Sequence, residues 1–213
     1  MDPRPSYGCG FVLGRIGGVL LAALFALGPG PAARGSAQPA PDAAPTVDVR
    51  VSQRYYTVTG DSLDVVVAKL NRMRLPGAGG RLSQGTTRYD IIPEYRALAG
   101  AGGCRLADLR LDVRIVITLP RWPEVDHRPP EERRRWGIIE DAVREHEYVH
   151  RDLTVDGAKA LAEDLDGREA GACGTLRRAI RGQLSVHGER IRRAHADFDR
   201  RTPPTLSLGG PPG

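Results

Sequence analysis

The stretch WGIIEDAVREHEYVH, residues 136 to 150, decides how the chain is read. Trp136, Ile139 and Val143 recur at steps of three and four, the apolar stripe of an amphipathic helix. His146 and His150 continue the stripe where Leu or Val would be expected. At about 3.6 residues per turn they project from nearly one face, one turn apart. Two imidazoles so placed can grip one zinc ion. Glu147 stands directly after the first, where it could take a proton from a metal-bound water. Zinc lowers the pKa of such a water to about 7, which makes hydrolysis feasible near neutral pH. The spacing therefore points to a zinc hydrolase, most often a peptidase. The plainer alternative is a pair of buried, hydrogen-bonded histidines on a structural helix.

Downstream, Leu153, Ala160 and Leu161 continue the pattern. The helix is expected to start at Pro129-Pro130-Glu131-Glu132 and to run to about Leu165, with a kink at Gly157. A further helix is expected from about Thr175 to Asp199. The half before the motif reads as strands with one helix. Val47, Val49 and Val51 alternate with polar residues, and Tyr55-Tyr56-Thr57-Val58 extends the run. Asp61 suits the N-cap of a helix carrying Leu63, Val66, Val67, Leu70 and Met73, ended by residues 76 to 80. Thr86 to Ile92 reads as a strand. The strongest strand is Leu109 to Leu119, where Leu109, Leu111, Val113, Ile115, Ile117 and Leu119 share one face. Strands first and helices after make an α+β pattern. The expectation is mainly antiparallel N-terminal strands with one helix, then a zincin-like helix carrying the motif and a C-terminal helix.

Residues 1 to 37 resemble a secretory signal peptide. Arg4 and Arg15 precede an apolar run from Ile16 to Leu27, and Gly35-Ser36-Ala37 is a plausible cleavage site. The run is short for a membrane span, although an uncleaved anchor is the alternative. No other stretch is apolar enough to cross a bilayer, so export to the periplasm or the exterior is expected. Residues 38 to 46 read as an Ala/Pro-rich linker, 47 to 202 as one folded domain, and 203 to 213 as a disordered Pro/Gly-rich tail. The formal charge is +5, of which residues 1 to 37 carry +2. Acidic and basic residues alternate along the helices, as on solvated faces, without the aromatic interleaving of a nucleic-acid surface. The expected partner is a peptide or protein substrate, and no nucleic acid.

Cys104 and Cys173 remain after removal of the leader, which carries Cys9. An even pair in an oxidising compartment suggests a disulfide. Two free thiols, or a cysteine ligand to zinc, are the alternatives. A catalytic zinc also needs a third protein ligand. Asp156 has the spacing of the third ligand in HExxHxxGxxH/D enzymes, but Leu153 stands where those enzymes bend at Gly. The last helix offers His187, His195 and Asp199, the latter two sharing a face. Asp152 or Asp199 could instead hold the outer N–H of a ligating imidazole.

Taken together, these residues resemble a bacterial family, domain of unknown function 922, regarded as secreted zinc-dependent proteases. The resemblance rests on Tyr55-Tyr56-x-Val58-x-Gly60, Gly85-Thr86-Thr87, Cys104, Pro120-Arg121-Trp122 and Trp136. It continues through His146-Glu147-x-x-His150-x-Asp152, Cys173 and Phe198-Asp199-x-x-Thr202. It spans nearly all of the folded domain and implies an exported protein with zinc at His146 and His150 and Glu147 as the general base. One departure stands out. The family often has His-Gly after the terminal Asp-x-x-Thr, where this chain has Pro203-Pro204; if that histidine completes the site in the family, this chain uses another ligand or binds metal weakly.

Overall fold

The computed structural model describes residues 44–72, 75–76 and 82–202. The expected leader, most of the linker, Met73, residues 77 to 80 and the tail after Thr202 lie outside the described residues.

The longest strand, β5 (Gly103–Arg121), is the middle of the sheet, with β1 (Thr46–Thr57) on one side and β4 (Thr86–Gly100) on the other. Its alternation of apolar and polar residues is the reason. Leu109, Leu111, Val113, Ile115, Ile117 and Leu119 are all buried on the helix-covered face. On the opposite face Asp112 is also buried, beneath the guanidinium groups of Arg50 and Arg114, which bond to it. Their hydrogen bonds hold its carboxyl below the usual range. The β4–β5 pair is antiparallel, closed by a tight turn at 100–103. The β1–β5 pair is parallel, while every other strand pair among the described residues is antiparallel, so the strands are mainly antiparallel, as expected, with one parallel edge. Parallel neighbours need a long crossover rather than a hairpin, and α1 (Leu63–Arg72), the short β2–β3 hairpin (Leu75–Pro76, Leu82–Ser83) and β4 all intervene before β5. A two-residue β6 (Glu169–Ala170) pairs with the start of β5. The fold is α+β, with a mixed sheet.

The α1 helix buries Leu63, Val66 and Leu70 against Val58, Trp122, Trp136 and Ile139. Its first turn is capped from Ser62, whose Oγ accepts the Val65 N–H at 3.4 Å, rather than from Asp61. The α2 helix (Pro130–Leu165) is one continuous helix through Gly157. The buried positions of α2 step by three and four through Trp136, Ile139, Val143, Glu147, His150, Thr154, Ala158, Leu161 and Leu165. Ala160 is exposed and Leu153 half-buried, so the second half of the stripe is rotated slightly from the sequence reading. The α3 helix (Cys173–Arg201) buries Leu176, Ile180, His187, Ile191, His195 and Asp199. It returns antiparallel along α2, since His187 meets Asp164 while Asp199 meets His146.

Gly157 serves that packing. A Cβ there would sit 2.3 Å from Ile191 Cγ1 and 2.7 Å from its Cδ1. Gly182, mid-way along α3, has no such neighbour within 4 Å. Gly182→Ala should stabilise by up to about 1 kcal/mol through helix propensity. Gly157→Ala should lose that gain and about 1–3 kcal/mol of packing to overfilling, a contrast that urea melts of the two variants read directly.

Cys104 at the start of β5 and Cys173 at the start of α3 form a disulfide, with Cα atoms 5.0 Å apart and a separation of 69 positions in sequence. Closing a loop of that length is worth about 4 kcal/mol in the chain-entropy treatment. Cys104→Ala with Cys173→Ala should lower unfolding free energy by about 2–5 kcal/mol in denaturant titrations.

Candidate metal centre

Three consecutive buried steps on α2, namely Glu147, His150 and Thr154, are polar, with His146 half-buried beside them. The same is true of the last two buried steps of α3, His195 and Asp199. Because the helices run antiparallel, the two polar windows face each other. His146 Nε2 lies 3.2 Å from Asp199 Oδ1, His150 Nε2 lies 2.8 Å from the same oxygen, and the two Nε2 atoms are 3.2 Å apart. Phe198 covers the pair, its ring 4.7 Å from that of His146 and 5.1 Å from that of His150.

Those three edges can be tested against a metal. Ligand bonds of 2.0–2.1 Å in a tetrahedron place ligand atoms about 3.3 Å from one another. The observed triangle is that size within a few tenths of an ångström. Two imidazole nitrogens and a carboxylate oxygen are also a donor set that zinc accepts. His146, His150 and Asp199 could therefore hold a metal ion. Asp199 is one of the four candidates that the sequence offered as third ligand. His195 lies behind His150, its Nδ1 2.7 Å from His150 Nδ1. The other two are elsewhere. Asp156 is exposed on α2 and is not in the group of converging ligand atoms. His187 is buried against Asp164, at 2.7 Å, and ties the two helices together. Asp152 pairs with Arg151 on the surface and supports neither imidazole.

Glu147 points from α2 toward the sheet. The Thr87 hydroxyl on β4 donates to its Oε2 at 2.8 Å and also lies 3.1 Å from its backbone carbonyl. The chain passes so close at Gly85 that a Cβ there would be 2.8 Å from Glu147 Cγ and Oε1. Burial raises the Glu147 carboxyl above its ordinary range, against the Thr87 bond and the nearby imidazoles, which lower it. Asp199 is moved the other way. Burial disfavours its charge, but hydrogen bonds from His146 and His150 and the charge these rings can carry outweigh it. Burial, and then the neighbouring His150, lower the His195 imidazole to about 4. Tyr56, whose hydroxyl donates to the Gln84 carbonyl at 2.5 Å, is pushed up to about 12 by burial and by the Glu147 charge.

Thr87, Thr154 and Gly85 were not singled out by the sequence as site residues. The only signal was positional: Thr154 follows His150 by four, and Gly85-Thr86-Thr87 recurs in the family pattern.

The two carboxyls make opposite predictions for metal-free protein held in chelator. Native Glu147 binds its proton more readily than the unfolded chain, so its charge costs stability as pH rises above the unfolded value of about 4.3. Glu147→Gln should raise the melting temperature at pH 7 and leave it unchanged near pH 3. Native Asp199 binds its proton less readily, so its stabilisation is present above the unfolded value of about 3.9 and lost as pH falls. Asp199→Asn should lower the melting temperature at pH 7, and melts from pH 3 to 8 test both signs.

No curated protein and no solved structure matches the chain. Residues 53–204 match the profile described as "Bacterial protein of unknown function (DUF922)", a span that holds both polar windows and the disulfide, and the chain belongs to that family.

Proposed function

We propose that the protein is an exported zinc-dependent metallopeptidase of the HExxH type, with His146, His150 and Asp199 as its metal ligands. The observation that carries this reading is the triangle of ligand atoms, 2.8 to 3.2 Å on each edge, with a buried carboxyl one residue from the first ligand. Zinc held there would supply Lewis acidity, bringing the pKa of a coordinated water to about 7. The chain's own residues do the rest. His146, His150 and Asp199 hold the ion between two helices rather than along one, which replaces the third ligand that a Gly bend supplies in other HExxH enzymes. Glu147 accepts and returns a proton at its carboxylate. Its raised pKa brings it nearer the working pH, as a general base requires. Thr87 fixes its orientation through the 2.8 Å bond. Export is supported by the disulfide and by the signal-like start of the sequence. Among the described residues no helix is long and apolar enough to cross a membrane.

A second reading is favoured by one observation. The side chains of His146, His150 and Asp199 are only 10%, 3% and 5% exposed. A catalytic zinc keeps an open position, whereas a structural one is enclosed. The alternative is thus an exported module whose metal holds α2 against α3.

Single substitutions separate the two. His146→Ala, His150→Ala and Asp199→Ala should each abolish stoichiometric zinc in the purified protein, measured by elemental analysis. Glu147→Gln should keep the zinc and lower peptide hydrolysis by about 10²–10⁴-fold, the usual weight of a general base. Full activity in Glu147→Gln would refute the mechanism. Zinc uptake with no hydrolysis of any peptide by the unmodified protein would favour the module.

A further inference from the structure

A metal takes a lone pair. For His150 to offer one at Nε2, its single ring proton must sit on Nδ1, and in a dry site that N–H needs an acceptor. In many metal sites a carboxylate or a carbonyl fills this role. Here the group within reach is another imidazole. His195 Nδ1 lies 2.7 Å from His150 Nδ1, and the two rings are within 12° of parallel. If His195 accepts at Nδ1, it carries its own proton on Nε2. That proton also finds an acceptor, because Thr154 Oγ is 3.2 Å away. Thr154 in turn donates its hydroxyl to the His150 carbonyl, at 3.0 Å. Each donor in this chain has an acceptor, and the chain ends with a bare His150 Nε2 facing His146 Nε2 and Asp199 Oδ1.

The chain has a second saturated state. With the His150 proton on Nε2, it donates to Asp199 at 2.8 Å. His150 Nδ1 then accepts from His195 Nδ1–H, and the Thr154 hydroxyl turns to His195 Nε2. Each ring holds one proton in both states, so only the positions differ. His195 and Thr154 are both fully buried, and Tyr89 stacks on His195 from β4, 5.3 Å away and within 12° of parallel. Nothing in this arrangement requires water to reach the outer nitrogen of His150.

We propose that His195, oriented by Thr154, is the positioning residue that accepts the Nδ1 proton of His150 and so lets His150 present a bare Nε2 to a divalent transition-metal ion. The proposal rests on the metal reading above and adds the group that sets the ligand's protonation. It also gives His195 a role distinct from ligation. Its ring is directed to the outer nitrogen of His150, and its own second nitrogen is engaged by Thr154.

The test is zinc affinity of the full chain by chelator competition, with zinc alone as the probe. His195→Phe keeps an aromatic ring under Tyr89 but removes the acceptor, and zinc binding should weaken by about 10–100-fold. His195→Asn places an amide oxygen near the position of Nδ1 and should recover most of that loss. Thr154→Val leaves His195 without its orienting partner and should give a smaller loss. Nitrogen-15 spectra of the zinc-loaded wild type, which need no variant to fold, should show His150 protonated at Nδ1 and His195 at Nε2. Wild-type zinc affinity in His195→Phe, with none in His150→Ala, would overturn the positioning role and leave the metal centre standing. A His150 that coordinates through Nδ1 would overturn it too. A wild-type protein that takes up no zinc would instead remove the metal reading, and this proposal with it.

Discussion

The close approach of α2 and α3 is the constraint on which the candidate centre depends. Gly157 lets Ile191 lie directly on the α2 backbone. From that contact the antiparallel register runs outward in both directions. Toward one end it sets Asp164 against His187, and toward the other it sets Thr154 and His150 against His195, then His146 against Asp199. Ligand atoms separated by 53 residues in sequence meet within 3.2 Å because two helices are held at one spacing. A shift of one helical turn would move an imidazole about 5.4 Å along the axis, out of reach of the carboxylate. The disulfide ties the start of α3 to the start of β5, and so fixes the far end of the same pair of helices to the sheet.

The cost of the arrangement is the burial of charge. Glu147, Asp199, His150 and His195 all lie within the protein, where an unpaired ionised group costs several kcal/mol. The chain offsets this group by group. Thr87 satisfies Glu147, the two ligand imidazoles satisfy Asp199, and Thr154 satisfies His195. The compensation is uneven. Asp199 is stabilised as an anion, while Glu147 is not, and its carboxyl is raised. Two carboxyls pushed in opposite directions within one site suit different tasks. One that stays ionised can hold a cation, and one that holds its proton more readily than usual can exchange it.

The apolar framework around the site is conventional by comparison. The central strand β5 carries the core on one face, and α2 and α3 cover it. A second cluster of α1 with Trp122 and Trp136 closes the end of α2 that precedes the motif, with the Trp122 indole donating to the Gly60 carbonyl at 3.0 Å. The first strand overhangs this cover, which leaves Val49, Val51 and Tyr55 exposed on a face that would otherwise be interior. These elements place Gly85 and Thr87 beside Glu147.

Local regularities carried most of the fold. Period-two alternation marked β5, and steps of three and four marked α2, because side-chain direction follows from helix and strand geometry alone. The same rule put His146 and His150 one turn apart, while the count of cysteines outside the expected leader gave Cys104 and Cys173 as a pair. It could not say whether β1 joins β5 in parallel, because that depends on where the crossover returns. Nor could it choose among Asp156, His187, His195 and Asp199. All four are acceptable ligands by type, and the distances of the three on α3 from His146 are set by the packing of one helix on another. Tertiary structure brought Asp199 to the imidazoles, put His195 behind one of them, and left Asp156 in solvent. The role of Thr154 was hidden for the same reason. A threonine four residues after a histidine is ordinary helix sequence until a second helix sets an imidazole against its hydroxyl.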